Sequence, residues 1–69
     1  MRYSVNYTGA LFIDDNEGFN CFETDNFDEA MCVLRAVIDH RVDKMAYLKD
    51  EEYQCSLYWD DATHEYYWA

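Results

Sequence analysis

"DNFDEAMCVLRAVIDH", residues 25 to 40, decides how the rest of the chain is read. Phe27, Ala30, Met31, Leu34, Val37 and Ile38 recur at helical spacing, which lines them along one stripe of an α-helix. Asn26 followed by Glu29 has the form of a capping box, and Asp25, Asp28 and Glu29 suit the positive end of the helix dipole. Arg35, His40 and Arg41 lie toward the other end, where cations are favoured. The pattern predicts a helix over 27–40.

On the N-terminal side, residues 2 to 8 alternate. Tyr3, Val5 and Tyr7 fall on one face, and Arg2, Ser4, Asn6 and Thr8 on the other. This reads as a half-buried strand that runs past Gly9 through "ALFI", with a bend or bulge at the glycine. "DDNEG" (14–18) is turn chemistry and "FNCFET" (19–24) the returning strand, so the first 24 residues form a hairpin.

Beyond the helix stand two or three short strands, "MAYLK" among them. "YQCSLYW" (53–59) sets Tyr53, Cys55, Leu57 and Trp59 against Gln54, Ser56, Tyr58 and, just beyond, Asp60. "DDAT" turns the chain into "HEYYWA", where His64, Tyr66 and Trp68 oppose Glu65 and Tyr67. The order ββαββ(β) predicts an α+β fold: a small antiparallel sheet with one helix packed across a face. Residues 1–69 make one domain, near the lower size limit for a chain that folds on its own core. No internal repeat is evident.

Composition narrows the function. Fifteen acids against five bases give a net charge of −10. Direct binding to nucleic acid or to an anionic membrane surface is therefore disfavoured, and a basic partner is favoured. No apolar run approaches the roughly 18 residues of a membrane span, and no charged-then-apolar leader opens the chain. Cys21, Cys32 and Cys55 are an odd set without C-x-x-C spacing, which reads as free thiols in a reducing compartment. A cytoplasmic protein is expected.

The chemistry-bearing motifs yield no reaction. "DDNEG" departs from a calcium loop, because Gly18 comes one place early and Asp25 stands where a Glu belongs. His40 and His64 have no His or Cys at metal-ligand spacing. Adjacent carboxylates such as Asp28 and Glu29 point in different directions, so they are poor acid–base pairs. No enzyme, metal or cofactor is expected.

The acids cluster instead. Residues 14 to 30 hold seven carboxylates, and no Lys or Arg occurs between Arg2 and Arg35. A charge magnitude of about 2–8 already keeps a small domain soluble, and this chain exceeds it. Ten net negative charges match the phosphates along roughly 17 Å of duplex DNA. Aromatics at 19% are interleaved with the acids, and one helix covers only one face of a sheet. Some of Tyr58, Tyr67, Trp59 and Trp68 should therefore stay exposed or pack in an oligomer, and Tyr and Trp are favoured at binding hot spots. The candidate partner-binding residues are Asp14, Asp15, Glu17, Asp25, Asp28 and Glu29, with Tyr58 and Tyr67 as anchors.

In size, charge and aromatic content the whole chain resembles the small acidic inhibitors made by bacteriophages and mobile elements, the anti-CRISPR proteins and other DNA mimics. The resemblance implies a stoichiometric inhibitor that occupies the DNA-binding channel of a CRISPR effector complex. Two other readings stand beside it: an antitoxin or immunity protein that plugs a basic nuclease, and a structural module whose exposed aromatics form a homodimer. The oligomeric expectation is accordingly monomer or homodimer.

Overall fold

Tyr3, Val5 and Tyr7 are all buried in the computed structural model, which describes residues 1–69, and they line the core side of β1 (Tyr3–Thr8). The strand stops at Thr8 and does not continue through "ALFI". Gly9 turns the chain at φ +100, a region that disfavours any residue with a Cβ. Space imposes the same choice, since a Cβ there would lie 3.1 Å from Val42 Cγ1 and 3.3 Å from the Val42 carbonyl oxygen. Asp43 reinforces this junction by accepting from Thr8 N at 2.8 Å. The chain returns as β2 (Phe19–Thr24), antiparallel to β1 in the register Tyr3–Thr24 to Thr8–Phe19, so the expected hairpin forms.

Helix α1 spans Phe27–Asp39, with His40 as the C-cap. The Asn26 side chain accepts from Glu29 N at 3.0 Å, which is half of the expected capping box. The other half differs: Asn26 N–H donates to Thr24 Oγ1 at 3.1 Å. Ala30, Met31, Leu34, Val37 and Ile38 are buried as the stripe predicts, together with Val33. Phe27 is more open, at 39% exposure. The helix ends in a Schellman turn: Val42 N donates to Val37 O and Arg41 N to Ile38 O, with Arg41 left-handed at φ 55. Glycine is the usual residue there.

Strands β3 (Tyr47–Asp50), β4 (Cys55–Asp60) and β5 (Glu65–Trp68) complete a five-stranded antiparallel sheet in the order β2-β1-β3-β4-β5. The helix carries the chain from β2 over β1 to β3, so a strand of only four residues lies at the centre of the sheet. Leu48 and Leu34, with Val5 and Val37, are the largest fully buried side chains. Completely burying one such side chain contributes about 1.5–3 kcal/mol.

Two expectations need correction. Ser4 and Asn6 are buried, not solvated. Each lies between strands on both sides, Ser4 beside Glu23 and Lys49, Asn6 beside Cys21 and Tyr47, and Asn6 Nδ2 donates to Ser4 Oγ at 3.1 Å. The strand beginning at Tyr53 in fact starts at Cys55, because Gln54 adopts φ 53 and belongs to the turn. From Cys55 onward the faces are as read: Leu57, Trp59, Tyr66 and Trp68 turn toward the helix side, while Tyr58 and Tyr67 lie on the other.

Candidate functional site

The six candidate acids do not form one cluster. Asp14, Asp15 and Glu17 lie in the β1–β2 loop, at the Thr8 end of the hairpin, whereas Asp25, Asp28 and Glu29 follow Thr24 at the other end. A six-residue β2 separates the groups by about 17 Å along the strand.

Within the loop, Asp15 is occupied internally. Its Oδ2 accepts from the Tyr7 hydroxyl, from Leu11 N at 3.0 Å and from Phe12 N at 2.9 Å. Partial burial pushes its pKa up, but the hydrogen bonds from Phe12, Tyr7 and Leu11 outweigh burial and hold the carboxyl below the usual range. The Tyr7 hydroxyl is correspondingly pushed above its ordinary value, by burial first and then by the bond to Asp15. Asn20 closes the loop by donating to Gly9 O and Asn16 O, both at 2.9 Å. Asp14 and Glu17 remain exposed and outside this network. The tip also carries Ile13, which is 99% exposed.

The helix-start end combines acids with rings. Arg2 is its centre. The guanidinium donates to buried Asp50 through Nε at 3.2 Å and Nη2 at 3.1 Å, and Nη1 pairs with Glu52 at 2.9 Å. Backbone Arg2 N donates to Asp25 Oδ1 at 2.8 Å, and Glu51 N donates to Arg2 O at 2.8 Å. These bonds bring the helix start and the β3–β4 turn side by side. The Arg2 bond is the main reason the Asp50 carboxyl is held below the usual range, and Asp50 in return raises the guanidinium pKa.

Rings continue across the same end. The Arg2 guanidinium lies 5.0 Å from the Tyr3 ring centroid and 5.2 Å from that of Tyr53. Tyr3 meets Phe27 edge-on at 5.4 Å, and Phe27 stacks on Trp68 at 6.3 Å. Tyr53 and Trp68 are 71% and 49% exposed. Asp28 and Glu29 at the helix start are exposed carboxylates at this end, and Glu52 is held here by Arg2, whereas Glu51 pairs with Lys49 toward the opposite sheet face.

Tyr58 and Tyr67 lie elsewhere, on the sheet face opposite the helix. The register places Cys21, Asn6, Tyr47, Tyr58 and Tyr67 in one row across all five strands. Ring centroids are 5.5 Å apart between Tyr47 and Tyr58, and 5.8 Å between Tyr58 and Tyr67. No helix covers this face. Sequence reading identified Tyr58 and Tyr67 but missed Tyr47, whose face is set only by its pairing with both β1 and β4.

Most of the charge is unneutralised. Of the fifteen carboxylates only Asp50, Glu51, Glu52 and Asp61 sit in an ion pair. At the far end of the helix an open cleft of about 300 Å³ is lined by Ile38, Asp39, Arg41, Lys44, Trp59, Asp61 and His64. Its charges largely cancel, since Lys44 pairs with Asp61 at 3.5 Å and Asp39 accompanies Arg41. A hydrogen bond from Trp59 Nε1, then the Lys44 charge, holds the Asp61 carboxyl low. Cys21, Cys32 and Cys55 are free thiols, with burial and then Glu23 and Glu51 raising that of Cys21. No group of three or more His, Cys, Asp or Glu is placed to hold a metal ion, and no helix is long and apolar enough to cross a membrane.

Comparison of the chain with protein-family models, curated proteins and solved structures gives no match.

Proposed function

We propose that this chain is a non-enzymatic acidic binding protein that occupies the nucleic-acid-binding surface of a basic partner, in the manner of an anti-CRISPR DNA mimic. The observation that carries the reading is the helix-start end. There the exposed acids Asp25, Asp28 and Glu29 form an acidic rim at the end of the molecule that also carries the exposed rings of Phe27, Tyr53 and Trp68, and Arg2, paired with Asp50 and Glu52, ties the helix start to the β3–β4 turn. Carboxylates in such a rim take the place of phosphates before the lysines and arginines of the partner. Rings at the centre supply the desolvated contacts that slow dissociation. The exposed loop acids Asp14 and Glu17, at the other end of the hairpin, add to the field that steers encounter.

A displacement assay tests this. Host lysate is adsorbed to DNA-cellulose and challenged with the purified chain at low salt. Stoichiometric release of a particular basic protein is expected, and the charge-reversed variant Asp28→Lys/Glu29→Lys, checked by circular dichroism, should release it poorly. If the native chain releases nothing that sodium chloride at matched ionic strength does not, the reading is wrong.

A further inference from the structure

The sheet face opposite the helix offers a more specific statement about the partner. Tyr67 closes the row of tyrosine rings on β5, the edge strand, and is 49% exposed. Its one aromatic neighbour is Tyr58, so the side turned away from Tyr58 carries no ring. Glu65, two positions earlier, lies on the same face of β5, and Asp60 is its cross-strand partner on β4. Neither carboxylate is in an ion pair. Lys49, the one cation on this face, pairs with Glu51 at 3.7 Å. The result is a tyrosine ring with a free flank next to unneutralised carboxylates.

A planar cation with N–H donors around its rim fits that combination better than a compact ammonium. Guanidinium stacks on a ring and still directs N–H groups to carboxylates, whereas ammonium is more strongly hydrated and has no face to stack. The molecule already contains one such arrangement at its other end. Arg2 lies between the Tyr3 and Tyr53 rings at 5.0 and 5.2 Å while its N–H groups go to Asp50 and Glu52.

We propose that Tyr67, with Glu65 and Asp60, is a docking site for an arginine side chain of the basic partner. The proposal rests on the functional reading above and adds a preference for arginine over lysine. A second copy of the chain is opposed by the net charge of −10 on each molecule. Single-stranded nucleic acid, which also stacks on aromatic rings, meets the same repulsion.

The test uses oligoarginine and oligolysine peptides of equal length, titrated calorimetrically into the full chain at low salt. Oligoarginine should bind roughly two- to five-fold more tightly, the range of an exposed cation–π contact. Tyr67→Ala should remove that preference and leave oligolysine affinity unchanged, while Tyr67→Phe, which keeps the ring, should retain it. Circular dichroism of both variants reports on the fold. Equal affinities for the two peptides in the native chain overturn the arginine site but leave an acidic binding protein standing. If neither peptide binds in a salt-sensitive way, both readings are defeated. Tighter binding of oligothymidylate than of oligoarginine overturns the proposal in favour of nucleic acid. Sedimentation showing a dimer that Tyr67→Ala dissociates overturns it in favour of a second copy.

Discussion

The two C-terminal hairpins close with the same local device and carry different loads. In the first, Asp50 Oδ1 accepts from Glu52 N at 2.9 Å and Tyr53 N at 3.4 Å, and the turn ends on left-handed Gln54. In the second, Asp60 Oδ1 accepts from Ala62 N at 2.9 Å and Thr63 N at 3.4 Å, and the turn ends on left-handed His64. Ten residues separate the two aspartates, so the turn recurs where no sequence repeat is evident. Burial separates them. Asp50 is 4% exposed and gripped by Arg2, whereas Asp60 is partly exposed and in no ion pair. Identical turn chemistry therefore serves the whole fold in one place and only its own hairpin in the other.

Alanine at each position should break the symmetry most strongly. Asp60→Ala removes two backbone hydrogen bonds at a surface turn and should cost about 0.5–1.5 kcal/mol. Asp50→Ala removes the equivalent pair and also leaves the Arg2 guanidinium without its buried acceptor, so its loss should exceed that of Asp60→Ala. Urea denaturation of the two variants checks the order. Equal losses would mean the Arg2 contact contributes nothing.

Acid titration sharpens the same contrast. Asp50 and Asp15 have carboxyl pKa values lowered in the folded state. Their stabilisation is complete above the unfolded carboxyl value, near about 4, and is lost as pH falls through the lower folded value. Asp50→Asn and Asp15→Asn should each flatten the stability profile below about pH 4. Tyr7 contributes with the opposite sign. Its raised pKa gives stability that is present below about pH 10 and lost on further alkalinisation, so Tyr7→Phe should flatten the alkaline limb. Thermal melts across pH read both limbs.

Glycine in the left-handed positions is a smaller effect of the opposite sense. An L-residue at such φ costs about 1–2 kcal/mol, which glycine relieves at an entropic cost of its own. Gln54→Gly should gain about 0.5–1 kcal/mol. His64→Gly should gain less, because His64 stacks on Trp59 at 5.9 Å. A larger gain at His64 would show that stack to be inert.

The smallest effect is spread over the whole surface. Raising sodium chloride from ~0.1 M to ~1 M shortens the screening length from about 10 Å to about 3 Å. With a net charge of −10, the thermal midpoint at pH 7 should rise across that range. Mild acidification should raise it too, before Asp50 and Asp15 protonate. A falling midpoint would mean that the Arg2–Asp50–Glu52 network outweighs the repulsion.

Much of this was legible in the sequence because it is periodic. The helix, its Asn26 cap and the inward faces of β1, β4 and β5 follow from side-chain direction within each element. Three features were harder to read. The "ALFI" segment has strand-like composition, but Gly9 and the Asp15 acceptor turn it into a loop. Asp15 looked like one more surface acid, because nothing near it in sequence announces that Tyr7 will donate to it. "MAYLK" has little alternation to display, yet it is the central strand.

By itself, then, the sequence determined one α-helix across an antiparallel sheet, a large negative charge without enough bases to neutralise it, and more aromatic rings than one helix can cover. Each of these depends on composition or on neighbours a few residues apart. Only the tertiary structure decided which acids are free, that the loop acids and helix-start acids stand at opposite ends of β2, and that Tyr47, Tyr58 and Tyr67 form one row. Those outcomes depend on the order and register of strands distant in the chain, such as β1 against β3, and no local window of residues contains that pairing.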